Sequence, residues 1–141
     1  MGMNLHTCHT VEQTMNQGYD LGSQLPNGSI VCLFGELGAG KTTFVKGLAA
    51  GAAGITPQQV NSPTFVYLNI YKGHRTVYHF DLYRLRDADE FLSMGFEDML
   101  FAGGICCIEW SEKIAPLLPP SCLKITLLHE SESTRIIRID S

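Results

Sequence analysis

The run Gly35-Glu36-Leu37-Gly38-Ala39-Gly40-Lys41-Thr42-Thr43 completes the spacing G-x-x-x-x-G-K-[ST] of a phosphate-binding loop. Immediately before it, residues 29–34 (Ser-Ile-Val-Cys-Leu-Phe) are almost wholly apolar, the pattern of a parallel strand buried on both faces. Immediately after it, residues 41–53 set Phe44, Val45, Leu48, Ala49 and Ala52 on one face at helical spacing, with Gly51 and Gly54 expected to wind the helix down. Strand, glycine loop and helix in that order predict an α/β fold.

Each residue type in the loop has a chemical reason. A triphosphate needs many donors at close range, and Gly38 and Gly40 let the backbone curl so that successive N–H groups point at it. The helix N-terminus adds partial positive charge at the same place. Lys41 supplies a mobile point charge for the β- and γ-phosphates, and the Thr42 hydroxyl is placed to ligate a bridging Mg²⁺.

A length of 141 residues fits one domain, spanning 1–141, with an adequate core. Net charge is −4, and the ten Lys and Arg residues are scattered, so no electrostatic footprint for nucleic acid is visible. Any RNA involved is expected to be held by another protein. No stretch reaches the ~18 apolar residues of a membrane span, and residues 1–10 lack a signal peptide's pattern, so a cytoplasmic location is expected. Five cysteines without C-x-x-C spacing read as reduced, mostly buried thiols, and the His6-Thr7-Cys8-His9 tract has no matching ligand pair elsewhere.

The remaining chain reads in order. Residues 3–7 suggest a short strand, and Thr10 with Gln13 suggests a capping box opening a helix over 11–25, with Val11, Met15, Gly18, Leu21, Gly22 and Leu25 on one face. At Asn61-Ser62-Pro63-Thr64-Phe65, Pro63 forces extended backbone. Two readings stand there: a nucleotide switch in which Thr64 reaches the γ-phosphate, or an ordinary turn before a strand. Residues 65–71 and 76–83 read as a β-hairpin, 87–96 and 97–101 as short helices, and 105–110 as a second buried strand. Pro116, Pro119 and Pro120 mark a connector before two closing strands over 122–128 and 134–140. The single tryptophan, Trp110, reads by default as core filling, although its neighbour Glu109 suggests a place near the site.

A phosphate loop needs an acid at the end of a neighbouring strand to hold Mg²⁺ or its water. Asp81, in Thr-Val-Tyr-His-Phe-Asp, and Glu109, in Ile-Cys-Cys-Ile-Glu, compete for that role. Glu109 ends the cleaner apolar run and is favoured as metal-associated or water-orienting, with Asp81 as a second acid.

Four stretches together resemble the bacterial TsaE family of tRNA threonylcarbamoyladenosine biosynthesis ATPases. They are Leu37 to Phe44, Ser62-Pro63-Thr64-Phe65, Tyr78-His79-Phe80-Asp81-Leu82-Tyr83-Arg84-Leu85, and Ile108-Glu109-Trp110. The resemblance implies a single-domain P-loop NTPase with a mixed, mostly parallel central sheet flanked by helices. It implies binding and hydrolysis of ATP with Mg²⁺, in concert with the TsaD and TsaB proteins, while TsaC supplies threonylcarbamoyl-adenylate. Their product is modified adenosine 3′ of the tRNA anticodon, and this chain would meet tRNA only through the complex. By the same resemblance Leu37, Gly38, Ala39, Gly40, Lys41, Thr42 and Thr43 form the nucleotide cradle, and Thr42 and Glu109 ligate Mg²⁺. Lys41, Asp81, Glu109 and Thr64 make the hydrolytic site, and Thr10 and Arg135 are candidates for the base end. Val66 and Ile70, where polar residues are common, and Ser111, where Pro is common, depart from the family pattern.

Two other classes fit less well. A small P-loop kinase needs an acceptor pocket and an Arg-rich lid, and only Arg84 and Arg86 approach a cluster. A GTPase needs an Asn-Lys-x-Asp string, which is absent, and Asp81-Leu82-Tyr83-Arg84 lacks a switch glycine.

Overall fold

The computed structural model describes residues 2–36, 38–61, 63 and 66–141. Its strands are β1 (Met3–Cys8), β2 (Ile30–Phe34), β3 (Leu68–Lys72), β4 (Thr76–Asp81), β5 (Ile105–Glu109), β6 (Leu123–His129) and β7 (Arg135–Asp140). The helices are α1 (Val11–Gln24), α2 (Lys41–Ala53), α3 (Ala88–Ser93) and α4 (Glu97–Leu100). All seven strands join one sheet in the order β1-β7-β6-β2-β5-β4-β3. The centre, β6-β2-β5-β4, is parallel, and β1-β7, β7-β6 and β4-β3 are antiparallel. The sheet is therefore mixed, with its parallel part where the phosphate loop leaves β2. No helix among the described residues is long and apolar enough to cross a membrane.

Strand alternation divides the core into two layers. Val31 and Leu33, Val77, and Ile105 and Cys107 face α1 and α2, together with Phe44, Val45, Leu48 and Ala49. Ile30 and Cys32, Phe80, and Cys106 and Ile108 face the opposite layer, where Phe91, Leu100 and Ile114 pack. In that second layer Phe80, Phe91 and Phe96 meet pairwise at centroid distances of 5.5 to 5.6 Å, suited to tilted or edge contacts.

The helical face predicted for α1 holds at Gly18, Gly22 and Leu25, which are buried, and is corrected at its start. Val11 is exposed and Thr14 buried, because α1 turns Gly18 and Gly22 onto α2. A Cβ on Gly47 would lie 1.9 Å from the Met15 carbonyl oxygen, and one on Gly22 would lie 2.2 Å from that of Leu48. Backbone thus touches backbone. Gly51 belongs to this contact against Tyr19 and does not wind the helix down; α2 ends at Gly54, whose φ of 75° is the left-handed cap expected of glycine. Arg75, at the end of the β3-β4 turn, completes the arrangement. Its guanidinium donates to the carbonyls of Gly22, Leu25 and Ala52, satisfying acceptors at the C-terminal ends of both helices.

Smaller differences from the sequence reading have local causes. The Thr10 hydroxyl accepts from Gln13 N, but the Gln13 side chain returns to His9 N at 2.7 Å and not to the cap residue itself. β3 starts at Leu68, later than expected, because Val66 N and Tyr67 N both donate to the Pro63 carbonyl and Tyr67 takes φ 65°. The connector before β6 carries two 3-10 turns over Ser111–Leu117, kinked at Ile114. In the helices after β4, Phe91 is buried while Leu92 and Met94 are exposed.

All five cysteines are free thiols. Burial pushes Cys106 up to about 12, with the Cys122 thiol adding to it, and burial pushes Cys122 up to about 11, from an ordinary 9.0. The folded chain holds these protons where the unfolded chain releases them, so their contribution is complete below pH 9 and is lost as pH rises through 11 and 12. The urea midpoint should therefore fall between about pH 8 and about pH 10, and fall less in Cys106→Ala; equal slopes would contradict this. Gly47→Ala should cost about 1–3 kcal/mol in the same measurement, since neither backbone can retreat without moving a helix. An unchanged midpoint would show that the helices separate freely.

Candidate functional site

The site lies at the carboxyl edge of the parallel strands, where β2, β5 and β4 end side by side. At β2 the chain turns sharply at Gly35, whose φ is 147° and whose Cβ would lie 2.6 Å from the Leu127 carbonyl oxygen. It then runs over the glycine loop to Gly40, the left-handed cap of α2 with φ 101°. The cap residue Gly40 brings no side-chain hydrogen bond to this helix, which leaves its first N–H groups open to an external acceptor. Gly38, Gly40, Lys41, Thr42 and Thr43 line a cleft of about 1370 Å³.

The acids arrive by strand parity. Residues 77, 79 and 81 of β4 and 105, 107 and 109 of β5 point to the α2 side, and Asp81 is the register partner of Glu109. Both carboxylates are buried, at 7% and 6% exposure, yet both line the cleft. Lys41 Nζ donates to the Gly35 carbonyl at 2.7 Å and stands 3.9 Å from Glu109 Oε1. Asp81 Oδ1 accepts from Tyr83 N at 3.1 Å, and Lys113 Nζ donates to the Leu85 carbonyl at 2.7 Å, holding the segment that follows β4.

Residue by residue, the loop positions Gly38, Ala39, Gly40, Lys41, Thr42 and Thr43 lie at one wall of the cleft or, for Ala39, buried directly behind it. Asp81 and Glu109 lie at the strand-end side. Thr10 and Arg135 line the same cleft. Arg135 does more than line it, because Nη2 donates to the Gly38 carbonyl at 3.2 Å and ties β7 to the glycine loop. His9, which also lines the cleft, has Nδ1 3.3 Å from Thr134 Oγ1. Leu37 and Thr64 fall outside the described residues, as do Ser62 and Phe65 of the switch reading.

One feature escaped the sequence reading, and a second was read there only as the alternative to its default. His79 is fully buried, and its Nε2 lies 2.8 Å from Glu109 Oε2. The available signal was its parity with Asp81 in His-Phe-Asp. Trp110 is not core: it is 38% exposed, lines the cleft and packs on Tyr83 with centroids 5.0 Å apart. The cause is backbone. Trp110 takes φ 61°, a left-handed conformation unusual for a bulky residue, which turns the chain out of β5 and the ring outwards.

The Thr42 hydroxyl and the two carboxylates are the hard oxygen donors that Mg²⁺ prefers. Among the described residues no group of three or more His, Cys, Asp or Glu side chains is arranged to hold a metal by itself. The set fits an ion that keeps waters and shares ligands with a phosphate.

Loop, uncapped helix and paired carboxylates define a P-loop α/β protein. Residues 8–137 match the family model described as Threonylcarbamoyl adenosine biosynthesis protein TsaE, and the chain belongs to that family. It is 40% identical over 130 residues to the tRNA threonylcarbamoyladenosine biosynthesis protein TsaE of Treponema pallidum, spanning 92% of this chain and 95% of that one. The Nostoc protein of the same name is 41% identical over 129 residues, spanning 88% of this chain and 77% of the relative. The one from Bacillus subtilis is 40% identical over 111 residues, spanning 78% and 68%. The crystal structure of Bacillus subtilus YdiB superposes with a TM-score of 0.78 at 27% identity, over 98% of this chain and 84% of that one.

The placement of Trp110 is directly checkable. Its emission should be that of a partly hydrated indole and should be quenched by iodide. A blue-shifted, quencher-resistant emission would place the ring in the core.

Proposed function

We propose that this chain is a Mg²⁺-dependent ATPase of tRNA threonylcarbamoyladenosine biosynthesis that acts with the TsaD and TsaB proteins in the cytoplasm. The observation that carries the reading is the convergence on one cleft of an uncapped helix N-terminus, Lys41, and the register pair Asp81 and Glu109. The names of the relatives at 40 to 41% identity support the pathway. The domain is taken as one unit over 1–141, and tRNA contact is assigned to the partners in keeping with the net charge of −4.

On this reading each part of the site has its own contribution. The glycine loop, residues 37 to 43, presents backbone donors to the phosphates, and Lys41 neutralises them from a stem that is largely buried. Thr42 and Glu109 are the Mg²⁺ ligands, and the ion when bound offsets charge on the transferring phosphoryl group. Asp81 stands beside Glu109 to hold water, and Thr64 completes the hydrolytic site. The part of the cleft lined by Thr10 and Arg135 receives the base.

ATP hydrolysis by the purified chain should be slow and should rise when TsaD, TsaB and tRNA are added. Lys41→Ala should lower the stimulated rate by about 100-fold or more, the scale of losing one transition-state donor in a shielded site. Turnover that appears only with a small hydroxyl acceptor would replace this reading with the kinase, and tighter binding of GTP than ATP would replace the nucleotide.

A further inference from the structure

We propose that His79 is a positioning residue for Glu109: by donating from Nε2 it fixes the carboxylate and thereby sets how strongly a divalent cation is coupled to nucleotide binding. The inference rests on the reading of Glu109 as the cation-associated carboxylate. Its ground is the contact of Nε2 with Glu109 Oε2 at 2.8 Å, between a side chain with no exposure and one with 7%.

The protonation pattern follows from the partner. A carboxylate oxygen facing Nε2 accepts, so the proposal places the proton of this bond on Nε2. Nδ1 is buried and finds no hydrogen-bond partner among the described residues. A histidine with one nitrogen left bare is a costly way to fill a layer that otherwise holds Val77, Ile105 and Cys107. An aliphatic residue would pack there without an orphaned atom. The return for that cost is the bond to Glu109.

The bond also makes the two carboxylate oxygens unequal. Oε2 is held by His79 inside the protein, while Oε1 is turned toward Lys41 Nζ, 3.9 Å away in the cleft. A glutamate has three side-chain torsions to fix, and a single buried donor on the inner oxygen restrains the last of them. The imidazole is itself held. It lies between Cys107 of β5 and Asn69 of β3 in register, with the Tyr71 ring 6.2 Å away. Residues that orient a ligand from behind commonly change metal affinity by about 10- to 100-fold when lost.

The test compares wild type, His79→Gln, His79→Asn and Glu109→Gln. The amide nitrogen of Gln reaches about as far as Nε2, whereas that of Asn stops near the place of Nδ1. ADP affinity is measured by calorimetry in EDTA and again at saturating Mg²⁺, and the ratio of the two is the coupling factor. His79→Asn should lower that factor by about 10-fold while leaving the affinity in EDTA unchanged, and His79→Gln should restore most of it. Both amides bring similar polarity to the buried layer, and thermal melts establish that both fold. Equal losses in the two would mark core damage and overturn the proposal. So would a wild-type coupling factor in His79→Asn when Glu109→Gln lowers it. A wild-type factor in Glu109→Gln, or no Mg²⁺ coupling in the wild type, would overturn the role of Glu109 and the proposal with it.

Discussion

The contact of α1 with α2 is the constraint on which the rest depends. Four glycines, Gly18, Gly22, Gly47 and Gly51, bring the two backbones so close that an added Cβ on any of them would lie within 2.2 Å of a carbonyl oxygen. Such a contact has almost no tolerance, unlike one between side chains that can change rotamer. The phosphate loop ends where α2 begins, and Thr10, the cap residue of α1, also lines the cleft. Fixing one helix against the other therefore fixes the width of the cleft between Thr10 and Lys41. Arg75 secures the C-terminal ends of the same helices, so the pair is held there as well as along its length.

The sheet supplies the other half of the site through register. A parallel β4-β5-β2 centre brings three strand ends to one edge, and matched register sets Asp81 against Glu109 and Leu33 beside it. Between these ends lies a short ladder of polar atoms in an otherwise apolar layer: Lys41, Glu109 and His79. Each is buried by its neighbours and polar by function, the combination that makes such networks sensitive to the loss of one member.

Much of this was legible in the residues because it is local. The G-x-x-x-x-G-K-[ST] spacing, the apolar run before it and the helical face after it all act within about twenty residues, and the observed β2 and α2 match them closely. The two acids were legible as strand ends. What stayed hidden depends on distant partners. The role of His79 needs Glu109, thirty residues away, and the glycine face of α1 has meaning only against α2. Exposure of Trp110 follows from one left-handed backbone angle that no propensity encodes for tryptophan. The two strands of the hairpin part in the same way: β3 is an edge strand, whereas β4 is interior because β5 pairs with its other side.

β4 has a further property. Along its α2-facing side, Val77, His79 and Asp81 pass in sequence from hydrocarbon to imidazole to carboxylate, from the floor of the sheet to the cleft. The opposite side presents Phe80 to the aromatic cluster. A slip of one residue would exchange these two sides, placing a phenyl ring beside the phosphate loop and a carboxylate among Phe91 and Phe96. The strand therefore carries its own error check, since the same registration that packs the core also loads the site, and a chain that has folded one wrongly has forfeited the other.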